Sequence, residues 1–150
     1  MKKLTRDGVA LAYNEDGTGD PPMVLVHCWV CDHTFFAPQF DHFSGTQRVI
    51  TVDLRGHGES DKPQQAYTVA GFAEDLVWLC RQLAVEKPVV VGHSMGGNVA
   101  LELAASYPDF KSRDARAWRS LLSEKPGWEI TELAVAPSLR RRPLRQDRWW

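Results

Sequence analysis

Pro88-Val89-Val90-Val91-Gly92-His93-Ser94-Met95-Gly96 is a β-branched apolar run that breaks into Gly-x-Ser-x-Gly. The residues after it change period. Met95, Val99, Leu103 and Tyr107 recur every fourth position, which predicts a helix beginning directly after Ser94 and stopping before Pro108. A buried strand, a turn of minimal length and a helix therefore follow one another without a linker. So tight a turn holds the serine in a strained conformation, and small residues on both sides let strand and helix pass close together. Ser94 Oγ is then expected at the carboxyl end of its strand, beside the first free N–H groups of the helix.

Further out, Met23-Val24-Leu25-Val26-His27 and Arg48-Val49-Ile50-Thr51-Val52-Asp53 are two more short continuous apolar runs, each ending in a polar or Gly-rich turn. Runs of that kind suit strands buried on both faces of a parallel sheet. Val9-Ala10-Leu11-Ala12-Tyr13-Asn14 reads as an earlier strand before the turn-rich stretch from Asn14 to Pro22. Val69, Phe72, Ala73, Leu76, Cys80 and Leu83 fall on one helical face, with Thr68 placed to cap it. Strands alternating with helices predict an α/β fold, a three-layer sandwich around a mostly parallel sheet.

At 150 residues and 43% hydrophobic, the chain suffices for one domain with its own core. Its net charge of -1 conceals an asymmetry, because acids outnumber basic residues up to Phe110 and basic residues outnumber acids from Lys111 onward. The stretch 111–150 lacks a β-branched strand run and ends in Arg140-Arg141-Arg142-Pro143-Leu144-Arg145-Gln146-Asp147-Arg148-Trp149-Trp150. It is expected to be a poorly ordered, solvated basic tail. No stacking platform or recognition motif accompanies its charge, so neither a nucleic-acid nor a membrane partner is expected. No apolar run reaches the ~18 to 20 residues that span a bilayer, and Met1 to Asp7 lacks the apolar core of a signal peptide. A cytoplasmic setting is the expectation, with Cys28, Cys31 and Cys80 as reduced thiols.

Three motifs in order carry a family resemblance over residues 4–110. Besides Gly92-His93-Ser94-Met95-Gly96, Val24-Leu25-Val26-His27-Cys28-Trp29 resembles a strand ending in His-Gly, and Asp53-Leu54-Arg55-Gly56-His57-Gly58-Glu59-Ser60 resembles a D-x-R-G-x-G-x-S loop. Together they resemble the N-terminal half of the α/β-hydrolase family, in which G-x-S-x-G is the nucleophile elbow. The resemblance implies that Ser94 is the nucleophile attacking an acyl carbon, with the Trp29 and Met95 amides as oxyanion donors. A serine there, where haloalkane dehalogenases and epoxide hydrolases use aspartate, aligns the chain with the esterase, lipase, C–C hydrolase and perhydrolase branches. A small-molecule carboxylic ester or related acyl compound is the implied substrate; no cofactor and no metal are implied. A cofactor-free oxygenase branch shares these residues.

The chain also departs from the pattern. The family places its acid and histidine after later strands that are not legible here, so the fold is expected to be truncated on its C-terminal side. All five histidines, His27, His33, His42, His57 and His93, precede Ser94. His33, near the oxyanion loop, could in principle approach Ser94 but reads first as a surface or supporting histidine, while His27 and His57 are expected to brace loops and His93 to pack inside the turn. Cys28 and Val30 stand where the family's loop has glycine. The Val89-Val90-Val91 strand is expected to lie at an open sheet edge, a template for self-association. Two readings outside catalysis by serine remain: a catalytically inactive remnant of a hydrolase, and a redox pair or metal site at Cys28-Trp29-Val30-Cys31.

Overall fold

The computed structural model describes residues 1–107, Phe110 and the backbone of 133–135. Among the described residues a six-stranded sheet runs in the order β1-β2-β4-β3-β5-β6. Its strands are β1 (Lys2–Arg6), β2 (Val9–Asp16), β3 (Met23–Val26), β4 (Val49–Val52), β5 (Val89–His93) and β6 (Leu133–Val135). The helices are α1 (Ala37–Phe43), preceded by a 3-10 turn His33–Phe36, then α2 (Val69–Gln82) and α3 (Met95–Ser106).

β3 pairs in parallel with β4 on one side and β5 on the other. β3 and β4 are buried at every position, which is what a strand covered on both faces requires. Side chains two apart share a face. Val24, Val26, Ile50 and Val52 accordingly pack with Phe72, Leu76, Leu79, Val99 and Leu103 of α2 and α3. Met23, Leu25, Val49, Val89 and Val91 pack on the opposite face with Phe36 and Phe43 of the turn and α1. Helices on both sides make the three-layer α/β sandwich that the alternating pattern predicted. The sheet is mixed, however: parallel pairing is confined to β4-β3-β5, and β1, β2 and β6 join antiparallel.

The edge expected to be open is paired from Val91 onward. Val91, Gly92 and His93 of β5 register against Val135, Ala134 and Leu133 of β6. Backbone N–H and C=O groups beside a buried strand need partners wherever they come from. A three-residue Leu-Ala-Val segment supplies them with no β-branched run to announce it. A short strand thus lies within the stretch expected to be a tail, and its register with β5 does not extend to Val89 and Val90. The remaining expectations for the basic tail lie outside the described residues.

α2 begins where its cap was expected, with Thr68 Oγ1 accepting from Gly71 N–H at 3.0 Å. Its apolar face contains a carboxylate that the apolar periodicity passes over. Asp75, whose side chain is 3% exposed, accepts from Arg55 Nε and Nη2 at 2.8 and 2.7 Å and from Arg6 Nη1 at 2.9 Å. That clamp joins β1, α2 and the loop after β4. Removing one partner of a buried ion pair strands the others. Asp75→Ala is expected to cost about 2–3 kcal/mol, below the fully buried case because both arginines reach solvent, as read from urea midpoints.

Candidate active site

Ser94 sits between β5 and α3 with φ 52 and ψ -115, a backbone conformation that L side chains rarely adopt. The strain is stabilised from both sides by missing side chains. A Cβ on Gly92 would lie 2.0 Å from Gly96 O, and one on Gly96 would lie 2.1 Å from Val26 O. The first contact brings α3 onto β5, and the second brings α3 onto the end of β3. Ser94 is left exposed at the carboxyl end of its strand. Its carbonyl accepts from Gly97 N–H at 2.8 Å and Asn98 N–H at 3.2 Å, so α3 starts immediately. The Met95 N–H, first in that helix, has no acceptor within the helix and carries the positive end of its dipole.

The second expected oxyanion donor, Trp29, lies in the loop after β3. Cys31 N–H donates to Cys28 O at 3.3 Å, closing a four-residue turn. Val30 occupies its third position with φ 60 and is 83% exposed. Of the two residues standing where the family has glycine, only Val30 adopts the backbone that favours glycine. Cys28 does not. The Cys28 carbonyl also accepts from His27 Nδ1 at 2.7 Å, while His27 Nε2 accepts from Leu54 N–H at 3.0 Å. Because a peptide is planar and trans, holding the Cys28 C=O toward His27 turns the Trp29 N–H the opposite way. His27 is thus a strut between the loops after β3 and β4.

Those two bonds fix His27 as the neutral Nδ1–H tautomer, and burial pushes its pKa below the ordinary 6.5. In the unfolded chain the ring takes up a proton below 6.5 that the folded protein resists. Its stabilising contribution is therefore complete above about pH 6.5 and lost as pH falls below it. Urea midpoints are expected to drop between about pH 7 and pH 5, and the drop should be shallower in His27→Asn.

The loop after β4 is organised by Asp53, which is fully buried. Its carboxylate accepts from His33 N–H at 2.6 Å, His33 Nδ1 at 3.0 Å and Glu59 N–H at 2.8 Å. A Cβ on Gly58, at φ 49, would lie 2.2 Å from that carboxylate. The last serine of the motif, Ser60, donates to Asp53 O at 2.6 Å and accepts from Ala12 N–H at 2.8 Å. The D-x-R-G-x-G-x-S spelling is a hydrogen-bond specification for one loop: Asp53 gathers it, Arg55 ties it to Asp75, and Ser60 fastens it to β2.

His33, which lies near the loop after β3 in sequence, is thus spent on Asp53. His57 donates through Nδ1 to Arg55 O at 3.1 Å, and its ring lies edge-on to Trp29 at 5.4 Å. His93, inside the elbow, stacks on Phe35 at 4.7 Å. None of the hydrogen bonds of His27, His33, His57 or His93 reaches Ser94. Trp29 is 57% exposed and Phe35 41%, an apolar rim that the serine motif alone did not disclose. Asp32, His33 and Asp53 bring donor atoms within 4.8 Å of one another, the one such group among the described residues. Neither cysteine belongs to it, so the metal reading of Cys28-x-x-Cys31 finds no third ligand among the described residues. Asp53 already accepts from three N–H groups, which makes the cluster a brace.

A strained serine thus stands exposed between a parallel strand and the N-terminus of a helix in an α/β fold. The chain belongs to the α/β-hydrolase fold family, whose model matches residues 21–112. It is 38% identical over 101 residues to 2-(acetamidomethylene)succinate hydrolase of Mesorhizobium japonicum, a match spanning 67% of this chain and 36% of that protein. The enol-lactonase from Burkholderia xenovorans LB400 superposes with a TM-score of 0.69 at 32% identity, over 73% of this chain and 44% of the other. A thermophilic esterase from Thermogutta terrifontis gives 0.69 at 36% identity, over 74% and 43%. The chain therefore spans less than half the length of these relatives. Among the described residues no helix is long and apolar enough to cross a membrane.

Proposed function

We propose that this chain is the nucleophile-bearing part of a serine hydrolase acting on carboxylic esters or related acyl compounds. The observation that carries the reading is the backbone of Ser94, φ 52 and ψ -115, exposed between β5 and the N-terminus of α3. A non-glycine residue persists in such a conformation when the surrounding structure over-determines it, and here that surrounding is two backbone contacts at Gly92 and Gly96. In the proposed reaction Ser94 Oγ attacks the acyl carbon. The carbonyl oxygen becomes an oxyanion between the Met95 and Trp29 N–H groups, the alcohol leaves with the proton given up by Ser94 Oγ, and water then cleaves the acyl-enzyme to the acid and free Ser94. Trp29, Val30 and Phe35 offer apolar surface to the acyl or alcohol group. The substrate is a small molecule, and the chemistry uses side chains and water alone.

The experiment is to treat the protein with a serine-directed fluorophosphonate and map the adduct by peptide mass spectrometry. Modification of Ser94 alone is expected, and modification elsewhere or nowhere refutes the reading. A second reading, a hydrolase-shaped chain without turnover, is favoured by the engagement of His27 and His33 away from Ser94. It separates from the first by turnover: labelling without release of p-nitrophenol from a short-chain p-nitrophenyl ester belongs to it.

A further inference from the structure

Cys28 and Cys31 flank Trp29 and Val30, and hydrolysis has no use for their thiols. Both are partly exposed, unlike Cys80, which is buried in the core. The Cys31 N–H to Cys28 O bond of 3.3 Å closes the turn on which they sit. Ends of such a turn lie within about 7 Å between Cα atoms, inside the range that a disulfide spans. Val30 holds the left-handed position of this turn at φ 60. A β-branched residue there is strained, so the turn is imposed by its surroundings rather than by its own preference.

We propose that Cys28 and Cys31 are a reversible dithiol–disulfide pair, oxidised by small-molecule disulfides, whose oxidation displaces the Trp29 amide. The Cys31 thiolate attacks one sulfur of the small disulfide, forming a mixed disulfide and expelling one thiolate. Cys28 then gives up its proton and attacks the Cys31 sulfur, expelling the second. One disulfide and two protein thiols become one protein disulfide and two small thiols, with the protons carried away on the products. Burial and the contact with Cys31 push the Cys28 thiol up to about 11. With the roles of the two thiols exchanged, the balance of the exchange is the same.

The coupling to the site is geometric. A bond of about 2.05 Å must join two sulfurs that are unbonded in the reduced protein, which draws in the Cα of Cys28 and tilts the peptide between Cys28 and Trp29. That peptide carries, on one side, the carbonyl bound by His27 at 2.7 Å and, on the other, the Trp29 N–H. A donor moved from its place weakens oxyanion stabilisation, and removal of one such donor costs about 10²- to 10³-fold in rate. Partial displacement is expected to slow acylation of Ser94 by about tenfold. This part of the inference rests on the serine-hydrolase reading; disulfide formation does not.

The test uses the full chain, reduced and then incubated with oxidised glutathione. Thiol titration after denaturation is expected to fall from three free thiols to one, the intact mass dropping by two hydrogens with no glutathione retained. Three persistent thiols, or a stable glutathione adduct, overturn the pair. Fluorophosphonate labelling of Ser94 is then followed in both forms. Slower labelling of the oxidised protein, reversed by dithiothreitol and no longer responsive to glutathione disulfide in Cys31→Ser, is the expected result. Equal labelling rates with the disulfide formed overturn the coupling to Trp29. A disulfide that forms in a protein whose Ser94 labels in neither state sinks the hydrolase reading and the coupling together, while the thiol count upholds the pair.

Discussion

Ser94→Ala is expected to lower kcat/KM for a short-chain p-nitrophenyl ester by about 10³-fold or more, with KM little changed. The hydroxyl is exposed, and neither core packing nor the caps of α3 depend on it: α3 is capped through the Ser94 carbonyl, which alanine retains. Loss of rate would thus report chemistry and not folding, provided the melting temperature is unchanged. What survives also has a physical meaning. The proposed oxyanion donors, the Met95 and Trp29 amides, belong to the backbone and remain in the variant, so on that proposal water attacking a bound ester still finds stabilisation worth about 10³ over solution. A burst of p-nitrophenol in the wild type that is absent in Ser94→Ala identifies the acyl-enzyme. Indistinguishable rates in the two proteins establish the hydrolase-shaped remnant instead, because catalysis would then owe nothing to the serine.

The parts legible in the sequence are those whose burial leaves a local pattern. β3, β4 and β5 are covered on both faces and spell themselves as apolar runs, and α2 spells its buried face at helical spacing. The elbow is legible for a sharper reason: Gly92 and Gly96 are dictated by contacts under 2.2 Å that any side chain would violate. Elements that lean on distant partners leave less trace. β1, Lys2–Arg6, is a polar edge strand held by its pairing with β2, and Leu-Ala-Val of β6 is too short to show a period. α1 did leave a sign, since Phe36, Phe40 and Phe43 are helically spaced, with Pro38 in the first turn of the helix. The Asp53 brace and the Asp75 clamp join residues as much as 69 positions apart, and nothing in local spacing records which arginine or histidine will arrive. The same limit applies to the base. A histidine near the oxyanion loop in sequence proved to be bound to a buried carboxylate, an allegiance that only the fold reveals.

Gly96→Ala tests the contact on which the whole site is assembled. Helix propensity alone argues that it should help: alanine inside a helix is favoured over glycine by about 1 kcal/mol. Packing argues the reverse. The added Cβ would stand 2.1 Å from Val26 O and 2.7 Å from His27 O, both backbone atoms at the end of a strand paired on two sides, with no rotamer to yield. Overpacking typically costs about 1–3 kcal/mol and sits at the top of that range where only backbone can yield, so a net loss of about 2 kcal/mol is expected by urea denaturation. Gly71→Ala in α2 is the control. Its Cβ would meet only the Thr68 hydroxyl, at 3.1 Å, and a change within about 0.5 kcal/mol is expected there. Function should suffer beyond stability. The residues displaced, Val26 and His27, lead directly into the loop that carries the Trp29 amide, while Gly96 follows the Met95 amide, so one methyl group would separate the two proposed oxyanion donors. Fluorophosphonate labelling per folded molecule is therefore expected to fall in Gly96→Ala and to hold in Gly71→Ala. Equal losses in both variants would mean that the close approach of α3 to β3 is not what builds the site.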